Sequence, residues 1–356
     1  MQMPPRQVAC WAANLAVERD TFASLCTALQ GQVSEGTEWE ALLALANRTL
    51  VTPTLGNALA NNDRVPADVR EFIAAVASRT LDRNLAMRRQ LSECCIALSN
   101  CGVVPILIKG AAFMISATLD ANARLSTDLD LVLPADQKSD AIKALQTIGY
   151  EYAPSSISPD AGVNLQRSSD VGGLDIHYRL RSFHPQREYD DLRPYCEPVS
   201  VDGAAICVPS RELQLAILVA HDQMQERDYW RGLIDLRHML DLRAIVLAGN
   251  QLDENVLARF FPEGPHRRAL ETQLLTLESV LGIAKPTRSV HGRRARLQVR
   301  RRRWQIGRAW ALPAATAATL MIDPMRPPDA VLETGRWRSV AQYYRRMFVP
   351  AKDTKV

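Results

Sequence analysis

The 356-residue chain predicts an α+β fold: a small mixed sheet framed by helical regions on both sides. Three observations predict it. Residues before 100 carry apolar side chains at helical spacing, residues 102–208 alternate short β-rich runs with helices, and from Ser210 the helical period returns. With 47% apolar and 23% charged residues, the chain can bury a sizeable core, which argues against wholesale disorder. The expected division is an N-terminal helical region at 1–100, an α/β core at 101–208 and a C-terminal helical region at 209–356.

Taken in order, Thr37 precedes Glu38 and Glu40 as a helix start, with Leu42, Leu43, Leu45 and Ala46 on its apolar stripe. Pro66 opens the next helix in its first turn, with Asp68 and Glu71 suited to the positive end. That helix runs to Asn100 and offers Ile73, Val76, Leu81, Leu85, Leu91 and Leu98 for burial. Val103 to Ala112 reads as a strand ending at Gly110, and Phe113 to Leu119 as a helix. Asp128 to Leu133 reads as a strand, Asp136 to Ile148 as an amphipathic helix, and Gly172 to Tyr178 as another strand. Between them, Pro154 to Asp170 is rich in Ser and Pro and reads as a loop. Helices are predicted at 211–224, 229–248 and 266–282; Pro313, Pro324, Pro327 and Pro328 then break the tail before a last helix at 335–347.

The chemistry concentrates on Asp128 and Asp130. A strand alternates its side chains, so these two carboxylates share a face while Leu129 and Leu131 point into the core. Like charges a strand-step apart repel, and their usual partner is a hard divalent cation, Mg²⁺ or Mn²⁺, with sites left for substrate phosphates. The alternative is a strand end with Asp128 in a turn and Asp130 solvated. Upstream, the strand, Gly110 and a helix start make a phosphate cradle, with Lys109 as a point charge on phosphate or as a solvent-facing strand end. Downstream, Asp175 and His177 share a face, and Asp175 supplies the third carboxylate of a metal-assisted phosphoryl-transfer site, with Asp170 as its competitor. His177 is a further ligand, a phosphate contact, a partner orienting Asp175, or a structural histidine. Arg124 neutralises a triphosphate or pairs with the carboxylates. His221, Trp230, Arg231 and Asp241 lie at helical spacing, where packing and capping are the commoner roles.

The order Lys109-Gly110, then Arg124-x-x-x-Asp128-x-Asp130, then Ile148-Gly149-Tyr150, then Asp175-x-His177 resembles the uncharacterised bacterial nucleotidyltransferases of the DNA polymerase β-like superfamily. The resemblance covers most of residues 40–250. It implies a nucleotidyltransferase core that moves a nucleoside monophosphate from an NTP to a hydroxyl or phosphate acceptor. It implies Asp128, Asp130 and Asp175 as metal ligands and catalytic carboxylates, and Lys109, Gly110, Arg124 and His177 on the nucleotide. In proven members of the superfamily Gly-Ser or Gly-Gly follows the first strand; here Gly110-Ala111 stands there. That departure leaves open a non-catalytic protein that keeps the fold and binds a nucleotide or a partner. The acceptor, whether small molecule, peptide, protein or RNA end, leaves no mark in the sequence.

The seven cysteines form no C-x-x-C pair and read as reduced thiols of a cytoplasmic protein. No signal peptide, membrane span, Walker A loop, Gly-x-Gly-x-x-Gly or zinc ligand set is expected. Net charge is only +4, but eight arginines lie between Arg288 and Arg303, ending in the run Arg300 to Arg303 before Trp304. The favoured reading is a solvated helix face or polar linker; binding to nucleic acid is the alternative.

Overall fold

The computed structural model describes residues 18–116, 123–154, 162–283, 292–325, 337–345, 347–348 and 355. The architecture is α+β, as the sequence predicts. Its centre is a mixed seven-stranded sheet in the order β3-β4-β5-β2-β1-β9-β8. The strands are β1 (Ile106–Ile108), β2 (Asp128–Val132), β3 (Glu151–Tyr152), β4 (Gly162–Gln166), β5 (Gly173–His177), β8 (Cys196–Val201) and β9 (Ala204–Pro209). β6 (Arg179–Leu180) and β7 (Arg187–Glu188) form a separate two-stranded ribbon. The pairs β2/β5 and β1/β9 are parallel and the others in the large sheet antiparallel.

The two faces of the sheet carry different residues, as period two requires. On one face Leu107, Leu129, Leu131, Val163, Leu165, Leu174 and Ile176 pack against helices α3 (Ala67–Asn100) and α5 (Lys138–Thr147). On the other, Ile106, Ile108 and Val132 meet a cluster that runs from Phe22 to Ile306 and includes α6 (Arg211–Ala220), α7 (Leu236–Leu247) and α8 (Pro265–Leu281). Each buried Leu or Ile contributes about 1.5–3 kcal/mol, so the apolar face can offset charges held on its reverse.

Helix α3 also positions the loops that lead into β2 and β5. Its middle buries polar residues: Asn84 donates to the Arg124 carbonyl at 2.6 Å and accepts from the Ser126 amide at 3.2 Å, and Arg83 donates to the Ser126 carbonyl. Gln90 donates to the Gly172 carbonyl at 2.9 Å. A side chain at Gly172 would collide with Met87 and with the Thr127 carbonyl, so only glycine lets α3 lie this close. The polar grip explains one departure from the predicted stripe: Leu85, expected in the core, is 44% exposed because Asn84 takes the inward place.

Several boundaries move. The helix predicted from Thr37 begins at Trp39 as α1 (Trp39–Arg48), with α2 (Thr52–Leu59) after it. Pro66 caps α3 rather than lying in its first turn. The predicted loop 154–170 contains β4, whose Val163 and Leu165 alternate into the core behind a Ser/Pro-rich lead-in that hid them. The predicted helix 229–248 is two, Asp228–Arg231 and α7, because Gly232 turns left-handed at φ 73°. Pro313 starts a helix instead of breaking one, at the first turn of Leu312–Ile322. Pro327, Pro328, Arg288, Cys10 and Leu119 lie outside the described residues. Among the described residues no helix is long and apolar enough to cross a membrane.

The arginine run departs most from expectation. It forms helix α9 (Arg293–Gln305), but Arg302 is completely buried and Arg301 mostly so. Arg302 donates to Gln273 at 2.9 Å, to Thr276 at 3.0 Å and to Gln223; Arg301 donates to the carbonyls of Tyr229, Trp230 and Ala315. Arg300 and Arg303 are exposed. The run is therefore neither a wholly solvated face nor a linker. Helical period splits it, turning two guanidinium groups inward to acceptors drawn from distant helices.

Candidate active site

β2 and β5 run parallel with Asp130 directly beside Asp175 and Asp128 beside Gly173. Leu129, Leu131, Leu174 and Ile176 point to the α3 side, so Asp128, Asp130, Asp175 and His177 share the opposite face. The structure thus brings together the three carboxylates singled out in the sequence. Asp170, the competitor for Asp175, is elsewhere, accepting from Arg167 at 2.8 Å and from the Tyr150 hydroxyl at 2.6 Å.

Lys109 opens helix α4 (Lys109–Ile115) directly after β1. Its ammonium donates to Asp130 Oδ1 at 2.9 Å, and its side chain is only 16% exposed. Lys109, not Gly110, makes the turn, with φ at 49° in the left-handed region that a non-glycine residue adopts at a cost. Gln214 on α6 holds it there by donating to the Lys109 carbonyl at 2.9 Å. Gly110 serves a different end: a Cβ there would lie 3.0 Å from Arg124 Nη1, so glycine makes room for the guanidinium.

His177 Nε2 lies 3.0 Å from the same Asp130 Oδ1, so the histidine meets Asp130 rather than Asp175. Burial would raise the Asp130 carboxyl, but the Lys109 charge and the His177 hydrogen bond outweigh it and hold the group well below the usual carboxylate range. Burial likewise works against the Lys109 ammonium, and the charge and hydrogen bond of Asp130 overcome it and raise its pKa. Asp175 has no such partner. Burial first, then the charges of Asp130 and Asp128, push its carboxyl from 3.8 to about 6.

Arg124 stands at the edge, bound to Asp241 of α7 by two hydrogen bonds of 2.8 and 3.0 Å. Its guanidinium spans from the strand loop to the C-terminal helices, and its charge reaches Asp128 and Asp130. A cavity of about 750 Å³ lies on the outer side of this pair, lined in part by Thr54, Asn57, Arg237 and Arg243. None of the three strand carboxylates lines it, so its size says nothing of their chemistry.

Asn164 was missed in the sequence. It sits opposite Asp175 in the β4/β5 register, hence on the same face, and its Oδ1 is buried with no hydrogen-bond partner. The alternation Val163-Asn164-Leu165 was the available signal, masked by the loop reading of 154–170. Gln214 and the pairing of Asp241 with Arg124 join residues more than a hundred positions apart, beyond the reach of any local pattern.

The carboxylate face, the turn lysine and the parallel register coincide with a family match: residues 35–282 fit the family described as uncharacterised nucleotidyltransferase. The chain belongs to this family. Membership makes the protein an enzyme of the nucleotidyl-transfer class. Solved structures to which the chain is similar include the antibiotic-resistance factor ANT(2'')-Ia, 14% identical over 55% of this chain and 97% of that one, TM-score 0.37. The lincosamide antibiotic adenylyltransferase LnuA is 17% identical over 42% and 89%, TM-score 0.31. An antigenic nucleotidyltransferase-like protein from Paracoccidioides brasiliensis is 16% identical over 56% and 93%, TM-score 0.38. Among curated proteins none matches the chain.

Proposed function

We propose that this nucleotidyltransferase moves a nucleoside monophosphate from an NTP to a hydroxyl or phosphate acceptor, with Asp128, Asp130 and Asp175 as the carboxylates that hold Mg²⁺ or Mn²⁺. The observation that carries the reading is the β2/β5 register, which gathers three carboxylates against one lysine on a shielded face. A face with more carboxylate than cation, its one imidazole nitrogen engaged with Asp130, suits a hard divalent ion. When bound, that ion offsets the charge of the transferring phosphoryl group.

The protein's own groups divide the remaining work. Lys109 and Gly110, at the strand-to-helix turn, receive the phosphates, Lys109 exchanging part of its contact with Asp130 for phosphate oxygens. His177 fixes the orientation of Asp130 through Nε2. Asp175, which unlike Asp130 has no hydrogen-bonded cation, takes the proton from the attacking hydroxyl. Arg124, bound to Asp241, adds positive potential at the rim of the nucleotide site without leaving its partner. The cytoplasm, where ATP and reduced thiols coexist, is the compartment that goes with this reading, and residues 1–100, 101–208 and 209–356 are its three structural parts.

One observation favours a second reading. Lys109 already gives Asp130 an internal counter-ion, as a protein that keeps the fold only to bind a nucleotide or partner would need. Titration of nucleoside triphosphates with and without Mg²⁺, paired with a pyrophosphate-release assay, separates the two. Metal-dependent binding that Asp128→Asn, Asp130→Asn and Asp175→Asn each abolish, with pyrophosphate released on acceptor addition, is the expected result. Wild-type-like binding by all three variants would sink the ligand assignment. Lys109→Ala should weaken binding by roughly 1.5–3 kcal/mol, the worth of a charged hydrogen bond. Lys143, exposed on α5, is the control.

A further inference from the structure

Outside the carboxylate face, a second group of ligand-type side chains lies where α6 gives way to a π-turn, His221–Gln225. His221 and Asp222 open that turn, and His238 reaches them from the first turn of α7. One ligand atom from each of the three lies within 4.8 Å of the others. His238 Nδ1 is 2.5 Å from Asp222 Oδ1, His221 Nδ1 is 3.7 Å from that oxygen, and the two imidazole rings meet edge to face at 5.9 Å.

Two atoms of this group have no partner. His221 Nδ1 and Asp222 Oδ2 are both buried and neither makes a hydrogen bond, although Asp222 as a whole is only 1% exposed. An orphaned carboxylate oxygen in a protein interior costs about 1–3 kcal/mol or more, and folds keep such atoms where something else satisfies them. The neighbouring charges do not. Lys355 is taken by Asp228 Oδ2 at 2.5 Å, Arg302 by Gln273, Thr276 and Gln223, and Asp235 accepts from the His238 backbone amide as the cap of α7. The π-turn supports the same reading, since an inserted residue in a helix costs hydrogen-bond quality and recurs at functional sites.

We propose that His221, Asp222 and His238 form a binding site for a borderline transition-metal ion, Zn²⁺ or a similar divalent cation. Two imidazole nitrogens and one carboxylate oxygen are the donor set that such ions prefer, and three protein ligands leave a coordination position open. The site differs in kind from the carboxylate-rich face, which suits Mg²⁺. It stands close enough for the Lys109 charge to act on His221.

The test uses the full chain freed of metal by chelation. Calorimetric titration with Zn²⁺ should show one tight equivalent that a large excess of Mg²⁺ does not displace, and Co²⁺ should give visible absorption bands on binding. His221→Ala, at the most accessible of the three ligands, should weaken Zn²⁺ binding by more than about 100-fold, since even outer partners of metal ligands are worth 10–100-fold. His238→Gln should do the same, and thermal melts confirm that both variants fold. Asp175→Asn should leave the Zn²⁺ affinity unchanged. Absence of Zn²⁺ binding by the wild type would overturn the proposal. So would affinity that survives His221→Ala, or that falls with Asp175→Asn instead.

Discussion

The sheet face around Asp130 and the helical interior around Arg302 both bury charge, and they do so in opposite ways. At the sheet, three carboxylates face one lysine, and Asp175 is left without a hydrogen-bonded cation. In the helices, the two terminal nitrogens of Arg302 donate to neutral oxygens of Gln273, Thr276 and Gln223, and its buried Nε has no hydrogen-bond partner. Burial first, only partly offset by nearby acidic groups, lowers the Arg302 pKa to about 10, far above any working pH. The helices meet the Arg302 charge with neutral acceptors, whereas the sheet face gathers more carboxylates than the cations that touch them. Net charge would not distinguish them. Which charges have partners does.

The largest test of that contrast is Arg302→Ala. It empties a buried volume and strands three side-chain acceptors, so unfolding in urea should show a loss of about 3–5 kcal/mol. A loss below 1 kcal/mol would mean that the acceptors readily find other donors, and the contrast would fail on its helical side. Next is Asp130→Asn, which removes the direct partner of the Lys109 ammonium. The expected loss is about 2–3 kcal/mol, somewhat less than for an isolated buried pair because Asp128 and Asp175 remain nearby. Repulsion among the carboxylates taken alone would make this substitution neutral or stabilising; the Lys109 pair reverses that sign.

Asp175→Asn should move the other way. In metal-free buffer the folded protein binds a proton at Asp175 that the unfolded chain has already released, between about pH 4 and about 6. That stability is present below the unfolded value, falls as pH rises through this window, and stays lost above it. The variant should therefore gain about 1–2 kcal/mol over wild type at pH 7, after allowance for solvent screening, and little at pH 4. Denaturation curves at both pH values check the sign; equal gains at both would show that the cost of ionising the buried Asp175 is not the cause. The smallest effect sharpens the contrast within one helix. Arg300→Ser and Arg303→Ser, both exposed, should change stability by less than about 0.5 kcal/mol, although each stands beside a buried arginine.

The legible part of this molecule was the part written in local period. Asp128, Asp130, Asp175 and His177 could be placed on one face because their apolar neighbours alternate, and α3 could be bounded to within a residue by Pro66 and Gly102. Reading failed where partners are distant. Arg301 and Arg302 look solvated in any window of sequence, and only the acceptors supplied by other helices make their burial tolerable. In the sequence the first strand reads as ending at Gly110, whereas Lys109 makes the turn in the left-handed conformation, its carbonyl held by Gln214. His221 and His238 lie 17 residues apart across a π-turn and a left-handed glycine, and only the fold brings them together.

The hold of Gln214 on the Lys109 carbonyl has a consequence in time. The two residues are 105 positions apart, and the Arg124–Asp241 clasp spans 117. A nascent chain that has reached residue 208 contains all three carboxylates and the turn lysine, yet nothing to fix the lysine in its left-handed form. Nucleotide affinity should thus arrive late in synthesis, once α6 and α7 have emerged and closed over the sheet. A half-made chain would not sequester nucleotide before it had the remainder of its cleft.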